Sequence, residues 1–211
     1  RKLDLDGSSL KDADLANLGA SPHLKGLRWL GLSGYQSFNS EPVPKLVKAL
    51  HAVSELNLSG NWRFGDKHLT ELAKCKELAR VTTLDVAHSG VSSKGIVAFV
   101  GSKHATGLTV LRAAGQMEYD MEHDSYVSAE ADPKHGIAVA EAVAGSEVLG
   151  SVQELDLGYR ALGGDGLKKL HGGAAKALPG LRRLRLDGCA LTLAGVKELA
   201  KSELGQRLLY L

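Results

Sequence analysis

The sequence predicts an α/β fold: a right-handed horseshoe solenoid with a parallel sheet on its concave side, helices on its convex side and about seven repeats of 26–29 residues. Three observations carry this expectation. The frame L-x-x-L-x-L recurs as Leu27–Leu30–Leu32, Val53–Leu56–Leu58, Val81–Leu84–Val86, Leu108–Leu111–Ala113, Val152–Leu155–Leu157 and Leu181–Leu184–Leu186, with partial copies at Leu3–Leu5 and Leu208–Leu211. The central anchors Leu3, Leu30, Leu56, Leu84, Leu111, Leu155, Leu184 and Leu211 are 27, 26, 28, 27, 44, 29 and 27 residues apart. Between anchors, the apolar period changes from that of a strand to that of a helix.

Each unit opens with a short strand. Its leucines stack on those of neighbouring units, while the residues between them face the other way. Five residues past each anchor, a side chain is expected to satisfy loop backbone groups: Ser8, Tyr35, Asn61, Ser89, Gln116, Arg160 and Cys189. An apolar residue follows shortly after, at Leu10, Phe38, Phe64, Val91, Leu162 and Leu191. The helices come next, with buried stripes at Leu69–Leu72–Ala73, Ile96–Phe99–Val100, Leu167–Leu170 and Val196–Leu199–Ala200. Asp66, Ser93, Asp165 and Thr192 are the expected N-caps.

The most regular stretch is Leu178-Pro179-Gly180-Leu181-Arg182-Arg183-Leu184-Arg185-Leu186-Asp187-Gly188-Cys189-Ala190-Leu191, followed by Ala194-Gly195-Val196. It resembles the ribonuclease-inhibitor type of leucine-rich repeat, a likeness of repeat class that extends along the whole chain. The resemblance implies a non-enzymatic protein-interaction scaffold. Inhibitors, immune receptors, ubiquitin-ligase adaptors and GTPase activators share such repeats, so the alternative is a regulator of an enzyme, GTPase-activating or ribonuclease-inhibitor-like. Repeat class alone does not choose between these.

A repeat array of this kind has one continuous core, so residues 1–211 are expected to form a single domain. Both ends of the sequence fall inside a strand, which leads to the expectation of a fragment of a longer chain, able to self-associate end to end. The net charge of +2 gives no overall pull toward nucleic acid or a membrane surface. No apolar run approaches the roughly 20 residues of a membrane span. The two cysteines, Cys75 and Cys189, make no disulfide framework, and the sequon Asn57-Leu58-Ser59 places its Asn within a strand. Both features point to a cytoplasmic protein.

No catalytic constellation stands out, and neither a cofactor nor a metal is expected. Gly158 and Gly163 have the spacing of a phosphate loop, but Gly164-Asp165 follow where that motif needs Lys and Ser or Thr. The chemistry lies in the outward strand positions. One column reads Lys2, Trp29, Glu55, Thr83, Val110, Glu154, Arg183 and Tyr210. The next reads Asp4, Gly31, Asn57, Asp85, Arg112, Asp156 and Arg185, and a third ends at Asp187. Aromatic and arginine side chains in such an array are the residue types that anchor protein partners. Acidic residues in the middle of the array disfavour nucleic acid.

The 44-residue unit carries a surplus near Met117 to Lys134, expected to be a long acidic loop. Tyr119, Glu122 and Tyr126 are its candidate partner contacts, and Asp120, Glu122, His123 and Asp124 match no metal-ligand spacing. Because the frame resumes at Ile137, excision of Tyr119–Asp132 is expected to leave the fold intact.

Overall fold

A computed structural model describes residues 1–34 and 42–211; the loop positions Tyr35 and Phe38 lie outside the described residues. In chain order the elements are β1 (Lys2–Asp4), α1 (Asp12–Ala20), β2 (Trp29–Gly31), α2 (Pro42–Ala49), β3 (Glu55–Asn57), α3 (Asp66–Ala73), β4 (Thr83–Asp85), α4 (Ser93–Val100) and β5 (Val110–Arg112). They continue with β6 (Met117–Asp120), β7 (Ser125–Ser128), α5 (Pro133–Ala144), β8 (Glu154–Asp156), α6 (Gly163–Ala177), β9 (Arg183–Arg185), α7 (Leu193–Lys201) and α8 (Glu203–Arg207). Seven strands form one parallel sheet in the order β1-β2-β3-β4-β5-β8-β9, and β6 and β7 form a separate antiparallel pair.

The leucine frame sets the register. Leu3 pairs with Leu30, Leu30 with Leu56, and so on through Leu84, Leu111, Leu155 and Leu184. A one-residue slip would turn every leucine out of the core, so each pairing is enforced by burial. The interior is one continuous cluster in which strand leucines meet Leu46, Leu72, Phe99, Val143 and Leu170 from successive helices. Each helix packs on the next along the chain, from α1 against α2 through α6 against α7.

Of the four expected helix caps, Thr192 holds and Asp66, Ser93 and Asp165 shift by a residue or more. Thr192 caps α7, accepting from Gly195 N–H at 3.1 Å. Ser92 rather than Ser93 caps α4, and α3 starts after Gly65, so Asp66 and Ser93 are first helical residues. Both keep polar work: Asp66 accepts from Ser92 N–H at 2.7 Å, and Ser93 N–H donates to Glu130 at 2.8 Å. Asp165 lies inside the first turn of α6, where a carboxylate favours the helix dipole without capping it. Ala200, expected in the stripe of α7, is exposed.

The turn after each strand is built by two columns. At the fourth residue past the anchor the chain is left-handed at Gly7, Gly34, Gly60 and Gly188, and also at His88 (φ 54°) and Tyr159 (φ 55°). Glycine adopts this conformation without strain, whereas His88 and Tyr159 carry a steric cost. One residue on, buried side chains seal the strand-end carbonyls. Asn61 Nδ2 donates to Leu32 O and Leu58 O, Ser89 Oγ to Val86 O, and Cys189 Sγ to Leu157 O. Gln116 departs from the expected role and is exposed. The carbonyl of its own unit, Ala113 O, instead accepts from Arg160 Nε at 2.8 Å.

Candidate functional site: the solvent face of the sheet and the inserted hairpin

The outward columns are continuous in space. Lys2, Trp29, Glu55, Thr83, Val110, Glu154 and Arg183 pair strand to strand, and Tyr210 extends the row through a parallel bridge to Arg183. Asp4, Gly31, Asn57, Asp85, Arg112, Asp156 and Arg185 form the row beside it.

Much of the second row has a structural task that the sequence reading missed. Asp4, Asn57, Asp85 and Asp156 each accept, through Oδ1, the backbone N–H two residues ahead, at Asp6, Ser59, Ala87 and Gly158. The signal was visible as Asp or Asn at a strand end just before a turn. Gly31 has no such group, and Asp6 from the turn after β1 substitutes by accepting from Ser33 N–H at 2.8 Å. Asp156, expected at the surface, is buried; Gly158 and its own turn close over it.

The remaining charges pair in alternation. Arg112 lies between Asp85 (3.8 Å) and Glu154 (2.7 Å), and Glu154 also faces Arg183 at 3.8 Å. Arg185 faces Asp156 at 3.9 Å and Asp187 at 3.3 Å. Burial raises the Asp85 carboxyl above its ordinary range, opposed by the Ala87 N–H and by Arg112. The middle of the face is therefore internally compensated. Arg183, Arg185, Asp187 and Tyr210 are exposed at the β9 end, with the Arg183 guanidinium 4.8 Å from the Tyr210 ring centroid. A shallow hollow there is lined by Glu154, Arg183, Arg185, Tyr210 and Leu211. At the β1 end, Lys2 Nζ lies 3.9 Å from the Trp29 ring centroid, and that ring covers Gly31, where a β-carbon would collide with it. Glu55 and Asn57 stand half-buried between the two ends, with Asn57 Nδ2 donating to Asp6 at 3.1 Å.

The acidic insertion is a hairpin, not a loop. Its strands pair Met117 with Ser128, Glu118 with Val127, Tyr119 with Tyr126 and Asp120 with Ser125. The alternation of Glu-Tyr-Asp against Ser-Tyr-Val-Ser across a polar turn was the available sequence signal. Tyr119 and Tyr126 share one face and meet edge to face, with centroids 5.3 Å apart. Glu122 is exposed in the turn, and Tyr119 donates its hydroxyl hydrogen bond to Asp124, which raises the phenol above its usual range.

Arg160 fixes the foot of this hairpin. Its side chain is 1% exposed and donates to Ala113 O, Ala114 O, Val91 O and the Glu130 carboxylate. Glu130 in turn accepts from Ser93 N–H and Ser93 Oγ at the start of α4. Ser128 Oγ donates to Tyr159 O at 2.8 Å, and Asp132 caps α5. Segment 119–132 is therefore only partly an appendage, and removing all of it strips a buried arginine of its counter-ion. Arg160 meets the expectation that its column satisfies loop backbone groups, but its pairing with Glu130 of the hairpin was not visible in the repeat frame.

Asp120 and His123 bond each other at 2.8 Å, which holds the Asp120 carboxyl below its usual range. Among the described residues, no group of three or more His, Cys, Asp or Glu side chains gathers as metal ligands, and no helix is long and apolar enough to cross a membrane. Cys75 and Cys189 are free and buried. No model of a known protein family matches the chain, and no curated protein matches it.

Proposed function

We propose that the chain is a leucine-rich repeat solenoid of the ribonuclease-inhibitor-like class, non-enzymatic, which binds a protein partner through the solvent face of its sheet. The solenoid reading is supported by seven leucine anchors paired in register and in sequence order, each unit resting on its sequence neighbours. The partner-binding reading is carried by the β9 end. There Arg183, Arg185 and Tyr210 stand exposed on one face, while the equivalent charges of β4, β5 and β8 are half-buried or buried. Exposed arginine and tyrosine in a fixed array are the side chains from which hot spots are made. Two free, buried thiols fit a cytoplasmic setting.

The test is site-specific photocrosslinking in cell lysate, with the photoreactive residue at Arg185 on the sheet face or at Lys168 on α6. One partner captured from position 185, not from 168, and lost in Arg183→Glu/Tyr210→Ala supports the reading. Capture only from position 168, or capture that survives the double change, overturns it.

A further inference from the structure

Three surface aromatics carry a cation of their own chain: Lys2 on Trp29 at 3.9 Å, Arg63 on Trp62 at 4.7 Å, and Arg183 on Tyr210 at 4.8 Å. The Tyr119–Tyr126 pair differs. Among the described residues no lysine or arginine covers it, and the sequence contains neither between Arg112 and Lys134. The two rings, 52% and 59% exposed, meet at 65° and form a corner open to solvent. Met117, Met121 and Val127 add exposed apolar surface, so among the described residues this one hairpin supplies five of the ten exposed large hydrophobic residues. A concentration of this kind on a fixed element marks an interaction surface.

Charge says what kind of partner. The outward sheet columns hold seven carboxylates (Asp4, Asp6, Glu55, Asp85, Glu154, Asp156, Asp187) against four cations (Lys2, Arg112, Arg183, Arg185). Hairpin residues Glu118, Asp120, Glu122 and Asp124 add four more with no cation, for a net −7 in a chain whose total is +2. Two of the hairpin carboxylates are engaged, Asp120 by His123 and Asp124 by Tyr119, whereas Glu118 and Glu122 are exposed at its flank and turn. The hairpin foot is held by Ser128, Glu130 and Asp132, so little ordering entropy is lost on binding.

We propose that the β6–β7 hairpin binds a basic segment of the protein partner, a lysine or arginine side chain seating on the Tyr119 and Tyr126 rings, with the carboxylates of Glu122 and Asp124 in the adjoining turn and that of Glu118 adding to the negative charge of the hairpin. Ring faces and carboxylates attract the same cation, one through the π quadrupole and the other through Coulomb attraction. The assignment rests on the partner-binding reading above and supplies the chemistry of the segment recognised.

The probe is a fluorescein-labelled peptide of alternating arginine and glycine, read by anisotropy with the full chain at low salt. A glutamate–glycine peptide is the control. The arginine peptide binds and the control does not. Tyr119→Ala/Tyr126→Ala weakens binding about tenfold, the scale of a cation–π contact. Tyr126→Phe retains it, and Glu118→Gln/Glu122→Gln weakens it and flattens its salt dependence. Hairpin changes that leave affinity within twofold overturn the proposal, as does an equal loss in Tyr210→Ala. Self-association in sedimentation that the hairpin changes abolish also overturns it, because the occupant is then a second copy. Loss of the hairpin effect with crosslinking from position 185 intact fails this inference alone; hairpin-dependent binding without that crosslink fails the sheet-face reading alone.

Discussion

Arg160 Nη1 lies 3.4 Å from Glu130 Oε2, and this ion pair ties the foot of the hairpin to the buried end of the sheet. A buried guanidinium without its counter-ion is costly, and the same group also satisfies the carbonyls of Val91, Ala113 and Ala114. Glu130→Ala is expected to lower stability by about 3 kcal/mol in a urea melt. Adding Arg160→Met should cost less than the sum of the single changes, with a coupling above about 1 kcal/mol. Strict additivity would show that the two side chains do not act together.

Two excisions separate the free part of the hairpin from the built-in part. Replacing Tyr119–Tyr126 with a short glycine link should alter stability by about 1 kcal/mol, since loop length has a weak entropic effect. Excision through Asp132 also removes Glu130 and the cap of α5, and should cost about 3 kcal/mol or more. Equal effects in thermal or urea melts would contradict the role given to Glu130.

Ala190 is exposed and left-handed (φ 53°), so its methyl group brings strain and little packing. Ala190→Gly should stabilise the protein by about 0.5–1 kcal/mol. At His88 (φ 54°) the substitution to Gly should leave a more stable protein than the substitution to Ala, by about 1 kcal/mol. Differential scanning calorimetry on the three variants checks both signs.

Leu84 and Asp85 are neighbours with opposite roles. Leu84→Ala opens the fully buried anchor ladder and should cost about 2–5 kcal/mol. Asp85 has its carboxyl pKa raised by burial, so ionisation is less favourable in the folded chain than in the unfolded one. That penalty applies at neutral pH and fades as pH falls through the folded pKa toward the ordinary carboxylate range. Asp85→Asn should therefore be at least as stable as the parent at pH 7 and lose its relative advantage on acidification. A parent that loses ground to Asp85→Asn as pH falls would reverse the sign.

The anchors were legible because each leucine is buried for the same reason in every unit, so the frame located the seven parallel strands and their register. Side chains whose role depends on another unit were not legible. Asp6 serves the turn of the next strand, and Arg160 serves carbonyls 46, 47 and 69 residues away in sequence. No local pattern records such distances. Helix starts drifted because Asp66 and Ser93 bond polar groups of other units, which local capping rules read as caps. The hairpin was obscured by its acidity, although its alternation was present. On the sheet face, position was readable from the frame, but the pairing of Arg112 with Asp85 and Glu154 required the neighbouring strands to be in place.

Arg160, just past β8, bonds to Val91 and Ala113 of the two preceding units and so links three successive units, while the hairpin turn Met121–Asp124 is exposed. A backbone cut between Glu122 and His123 would then leave pieces 1–122 and 123–211 joined without a covalent link. The β5–β8 pairing, the packing of α4 on α5 and the Arg160 bonds all cross that cut. Two separately expressed halves divided there have a shared surface on which to reassemble, making the hairpin tip a natural place to split this protein into complementing fragments.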